Sequence, residues 1–194
     1  MSDVDSSSTT RGFTLSTEDI VHFVNEGYVI VRNAFTAETA TACRDVVWGH
    51  LQNEGIEKSE PDSWKQERIG LAKTFTANDG EPWSQVFTPK LIGAVETLLG
   101  GEENETFEQL GTGWWIVSFP GHSNPPAGIA GKLHVDGHWF THHLFSKEVG
   151  LVPLFLFSNT ASAGGGTCLA KRSHLDVTRW LAEAGMRGIE SSGD

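Results

Sequence analysis

The sequence predicts an α+β fold, with helices first and a β-sandwich or jelly roll after them. Two observations carry this. Up to Leu99, apolar residues recur at helical spacing between capping residues and glycines. After Glu108 the segments become short, aromatic and β-branched, separated by Gly, Pro and Asn. The 194 residues fit one domain. A hydrophobic share of 38% allows a core of useful size.

The elements follow in order. Residues 1–12 are rich in Ser, Thr and Asp and read as a disordered tail. Ser16 or Thr17 caps a first helix, with Glu18 and Asp19 in its first turn and Ile20, Phe23 and Val24 as its apolar stripe. Gly27 ends it, and Tyr28–Val31 reads as a short strand. Thr36 caps a second helix to about Asn53, with Ala40, Cys43, Val46, Val47 and Leu51 on its apolar positions. A polar loop over 55–66 and an ambiguous stretch over 67–90 follow. A third helix runs from Pro89 to Leu99, stopped by Gly100 and Gly101.

In the second half, Trp114–Phe119 and Lys132–Asp136 are expected strands, joined by a loop over 120–131. Trp114 and Trp115 must face opposite sides, one toward the core and the other free to wall a pocket. Gly150–Ser158 is an expected buried strand that Pro153 makes irregular or places at an edge. A turn over 159–166 and a short strand over 167–170 precede a helix over Asp176–Ala184, with Asp176 as its cap and Gly185 as its stop. A short tail closes the chain over 186–194.

Charge and cysteine content exclude several classes. The formal charge is -11, from 25 acidic and 14 basic residues, so the net field repels nucleic acid and anionic lipid. Cys43 and Cys168 are far apart, which argues against a disulfide framework or a zinc knuckle. Met1–Thr10 has neither a basic nor an apolar run, so no secretory signal is expected. The longest apolar run, Leu151–Phe157, is too short to cross a bilayer. A cytoplasmic protein is the expectation.

The chemistry concentrates in Lys132-Leu133-His134-Val135-Asp136-Gly137. On a strand, His134 and Asp136 point the same way and Val135 the other. An imidazole and a carboxylate on one face are two adjacent corners of a metal site. A second histidine from another strand would complete a facial triad and leave open positions, as non-haem Fe(II) oxygenases need. A 2-oxo acid would take two of these and dioxygen the third. His174-Leu175-Asp176 repeats the pattern, but there the histidine reads as a loop residue before a helix cap. His138, His142 and His143 crowd the stretch after the motif. They read as a second metal site or substrate-contacting base, or else as a turn at a pocket mouth. Gly164-Gly165-Gly166-Thr167 lacks the Lys-Ser/Thr ending of a phosphate loop and reads as a hairpin turn. Arg68, Lys73 and Lys132 are candidate partners for an anionic cosubstrate.

This order of features resembles the phytanoyl-CoA dioxygenase family: a His-X-Asp strand, an apolar strand, a glycine-rich turn with a strand, and a Ser-His string. Here that string is Lys171-Arg172-Ser173-His174, with the family's Pro-Gly pair replaced. The opening from Leu15 through Phe35 is also similar. The resemblance spans about residues 13–185. It implies N-terminal helices packed on a double-stranded β-helix, incomplete in this chain, with Fe(II) held by His134 and Asp136 and 2-oxoglutarate as cosubstrate. The implied reaction is hydroxylation of a small organic substrate with dioxygen, coupled to decarboxylation of 2-oxoglutarate to succinate. Asp136 stands where halogenating relatives carry a small residue.

The family's distal histidine and 2-oxoglutarate-binding arginine lie on late strands, whereas here 20 residues follow His174. Three expectations result: a fragment of a longer product, a short non-catalytic jelly-roll scaffold, or an internal third ligand with His174 as the candidate. A cupin-type protein holding another divalent metal is a further class.

Overall fold

The computed structural model describes residues 13–100, 110–119, 133–146, 150–160 and 166–190. The tail expected over 1–12 and the loop expected over 120–131 lie outside the described residues, as do Lys132, Gly164 and Gly165.

Helix α1 spans Thr17–Glu26. The Ser16 hydroxyl accepts from the Asp19 N–H at 3.1 Å, and the Asp19 carboxylate accepts from the Ser16 N–H at 3.3 Å. Two donors that the helix leaves unpaired are thereby satisfied. Gly27 closes the helix at φ +86°, donating to the Phe23 carbonyl. The strand expected at Tyr28–Val31 does not form. Tyr28 is held by side chains instead, edge-on to His22 and beneath Lys171.

Helix α2 spans Ala37–Asn53 and is capped by Thr36, whose hydroxyl accepts from the Thr39 N–H at 3.1 Å. Its buried residues Ala40, Cys43, Val47 and Leu51 recur every three or four positions, so they form one stripe. Strand β1, Arg68–Leu71, lies in the stretch that the sequence left unassigned. Helix α3, Pro89–Leu99, has Pro89 in its first turn, where the missing N–H costs nothing.

Strand β2, Trp115–Ser118, pairs antiparallel with β1, with Ile69 opposite Val117 and Leu71 opposite Trp115. These four face inward. Trp115 joins the core, whereas Trp114 points out with 68% of its surface exposed. An aromatic stack closes the core. Phe75 lies flat on Trp83 at 3.8 Å, Trp115 on Phe157 at 4.3 Å, and Trp83 meets Trp115 edge-on. Such contacts add to the burial of large apolar surfaces.

Two-residue strands β3, Thr141–His142, and β4, Ile189–Glu190, pair antiparallel. Helix α4, Ser173–Ala184, lies between them in sequence and is followed by a 3-10 turn at Gly185–Arg187. It begins three residues before the expected cap, because Arg172 adopts φ +66° and turns the chain there. Asp176 sits inside the first turn and pairs with Arg179 at 2.6 Å.

The chain is thus α+β. The described strands make two two-stranded antiparallel sheets, and a jelly roll is not formed by them. The strand expected at Gly150–Ser158 has no ladder partner among the described residues. Its side chains still alternate: Val152, Leu154 and Leu156 are exposed, residues 151, 153 and 155 are half-buried, and Phe157 is buried. The Phe157 carbonyl accepts from the Arg44 guanidinium. No strand forms at 167–170 either. Among the described residues, no helix is long and apolar enough to cross a membrane.

Candidate functional site

Residues 133–136 adopt no ladder, so the strand expected to carry the motif is not formed by its described residues. Two consequences of an extended backbone nevertheless differ in outcome. His134 and Asp136 do lie on the same side: Nε2 of His134 is 3.2 Å from Oδ1 of Asp136. Val135 does not enter an opposite layer, being 37% exposed. The pair itself is open to solvent, with side-chain exposures of 74% and 56%.

The 3.2 Å separation bears on metal fit. Two ligands on adjacent corners of an octahedron, each about 2.1 Å from the ion, lie roughly 3 Å apart. The imidazole nitrogen and carboxylate oxygen therefore already stand at the spacing a shared divalent ion requires. The donor set, one nitrogen and one oxygen, suits iron, zinc or manganese. Among the described residues, no three His, Cys, Asp or Glu side chains converge as a metal-holding group.

The turn after Asp136 is tightly built. Gly137 has φ +108°, and a Cβ there would lie 2.4 Å from the Phe140 ring. Only glycine fits both constraints. Its carbonyl accepts from Nε2 of His142 at 3.0 Å and from the Phe140 N–H at 3.5 Å. A carbonyl only accepts, so Nε2 of His142 carries the proton. The His142 ring also leans on Phe140 at 4.5 Å.

His138 and His142 are not brought together on one face, since residues 137–140 turn and His142 belongs to β3. His142 is 6% exposed, while His138 is exposed and meets Trp139 edge-on. His143 stacks on Phe145 at 5.1 Å and lies against Gly188, with its Nδ1 enclosed and without a hydrogen-bond partner among the described residues. The sequence signals His142 only as one of a crowd. Its inward role depends on the turn at Gly137, which the glycine alone announces.

His174, the internal candidate for a third ligand, is engaged elsewhere. Its Nε2 is 3.0 Å from the Val24 carbonyl, and its Nδ1 is enclosed against Gly27. Arg68 is exposed at the start of β1, and the Lys73 ammonium lies over the Phe75 ring at 5.2 Å. A groove runs along α4 and β4, lined by Trp180, Glu183, Arg187 and Glu190 among others. Neither His134 nor Asp136 lines it.

No protein-family model, no curated protein and no solved structure matches the chain.

Proposed function

We propose that the chain is an Fe(II)/2-oxoglutarate-dependent oxygenase that hydroxylates a small organic substrate, with His134 and Asp136 as two iron ligands. The observation that carries this reading is the 3.2 Å approach of Nε2 to Oδ1. In the balanced reaction, substrate, dioxygen and 2-oxoglutarate give hydroxylated substrate, succinate and carbon dioxide. Bound iron would supply the coordination positions at which dioxygen is reduced.

The chain's own residues supply orientation. His134 must offer an unprotonated Nε2, with its proton on Nδ1, and Asp136 must be ionised. Leu133 and Val135, which flank His134 in sequence, expose apolar surface and would shield the pair from water once substrate covers them. A double-stranded β-helix would be the scaffold of this reading, with the alternating segment 151–157 as one of its strands.

A second reading rests on the exposure of the pair. Two side chains at 74% and 56% exposure also describe an ordinary surface ion pair on a non-catalytic scaffold. The two readings separate in one assay. Protein loaded anaerobically with Fe(II) is mixed with 2-oxoglutarate and air, and succinate is measured. The oxygenase reading predicts succinate above the protein-free control and its loss in Asp136→Ala. Equal succinate from both proteins contradicts it.

A further inference from the structure

We propose that the groove along α4 and β4 binds a free amino acid with an apolar side chain. Neither His134 nor Asp136 lines this groove, so the binding is independent of the iron reading.

The groove holds about 530 Å³, within the range of roughly 300–1,000 Å³ that small-molecule sites span. Trp180 and Glu183 stand three positions apart near the end of α4, so they share one face of the helix. The 3-10 turn at Gly185–Arg187 then leads into β4 and brings Arg187 and Glu190 to the same groove. The most buried part of the lining is held from behind by β3. A Cβ on Gly188 would stand 2.5 Å from the His143 ring, and Ile189 lies opposite His142 in the β3–β4 pair.

The exposed part of the lining offers three kinds of contact. Trp180 leaves 54% of its surface to solvent, a large apolar face. Glu183 and Glu190 are acidic and Arg187 is basic. Among the described residues, Arg187 forms an ion pair with neither carboxylate. Opposite charges that share a groove without neutralising one another suit a ligand bearing both signs. Its ammonium would meet the glutamates, and its carboxylate the planar fork of Arg187. A purely anionic ligand meets two carboxylates, and a purely cationic one meets the guanidinium, so each gains one contact and suffers one repulsion. An apolar amino acid carries both charges and adds a side chain for the indole. The rival is a solvated groove whose charged groups act separately.

The full chain would be titrated by calorimetry with three probes of similar shape. These are phenylalanine, phenethylamine, which lacks the carboxylate, and 3-phenylpropionate, which lacks the ammonium. Phenylalanine should bind saturably at one site, about 10-fold or more tighter than either truncated probe, the factor one lost charged contact gives. Arg187→Gln should bring phenylalanine down to the level of phenethylamine and leave phenethylamine no weaker. Glu183→Gln combined with Glu190→Gln should bring it down to the level of 3-phenylpropionate and leave that probe no weaker. All three positions are exposed, so these near-isosteric changes keep the fold, which circular dichroism checks. Asp136→Ala should bind phenylalanine as the parent does. Selectivity among the probes in the parent is decisive without any variant. Equal affinity for the three probes, or no saturable binding of phenylalanine, overturns the proposal. So does equal weakening of all three by Arg187→Gln, or loss of binding in Asp136→Ala.

Discussion

His174 places Nε2 3.0 Å from the carbonyl oxygen of Val24, joining residues 150 positions apart. Val24 lies in the last turn of α1, where carbonyls lack partners within the helix. The neighbours of His174 complete the task. The Arg172 N–H donates to the Glu26 carbonyl at 3.0 Å, the Arg172 guanidinium reaches the Asn25 carbonyl at 3.4 Å, and the Lys171 ammonium meets the Glu26 carboxylate at 3.4 Å. Lys171, Arg172 and His174 thereby meet the negative end of a helix, with cationic groups where the helix dipole favours them. The Arg-Ser-His string, read from sequence beside a metal motif, serves in the described structure to dock α4 on α1.

Removing that contact should cost stability without disturbing the candidate metal pair. His174→Ala is expected to lower the unfolding free energy by about 1–2 kcal/mol, the loss of one partly enclosed hydrogen bond and its packing. Gly27→Ala should cost at least about 1 kcal/mol, because φ is +86° and the new methyl would stand 2.5 Å from the His174 ring. In the double variant the steric part is relieved, so the two losses should be less than additive in urea denaturation. Strict additivity would mean that the ring and the glycine do not meet.

Core and exposed apolar positions should respond oppositely. Leu51→Ala, at 1% exposure on the buried stripe of α2, should cost about 2–5 kcal/mol. Leu156→Ser, at 70% exposure on the outer face of the alternating segment, should stay within about 0.5 kcal/mol. A large loss at Leu156, measured by the same urea titration, would show that this face is covered in solution.

Cys43 supplies a pH dependence with a definite sign. Burial pushes its thiol up from 9.0 to about 11. Between these values the unfolded chain has lost the proton and the folded chain retains it. The contribution to stability is whole below pH 9 and is lost as pH rises toward 11. Cys43→Ala should flatten this part of the stability profile. In the folded protein at pH 8, a thiol reagent should modify exposed Cys168 quickly and Cys43 only on unfolding. Rapid modification of both would contradict the burial of α2.

The helices were legible because their signals are local. Ser16 with Asp19, Thr36 with Thr39, and Gly27 are neighbours in sequence, and each cap forms as read. The α2 stripe of Ala40, Cys43, Val47 and Leu51 follows from one period. The strands were less legible because pairing is decided by distant partners. Arg68–Leu71 looked featureless until paired with Trp115–Ser118, and Ile189–Glu190 has too few residues to show alternation. Tyr28–Val31 and Leu151–Phe157 had strand-like composition, yet neither meets a partner strand among the described residues. At the candidate site, His134 and Asp136 lie side by side as expected, but Val135 does not take the opposite face that strand alternation demands, and the turn after them had only Gly137 as its mark.

The central claim is that His134 and Asp136 jointly hold one divalent ion. Equilibrium dialysis of the full chain against Fe(II) under argon tests it most directly, with His134→Ala and Asp136→Ala alongside. The account predicts one ion per chain for the parent and more than about 100-fold weaker binding in each variant, a larger loss than a supporting residue gives. Parent-like iron binding in both variants would contradict it.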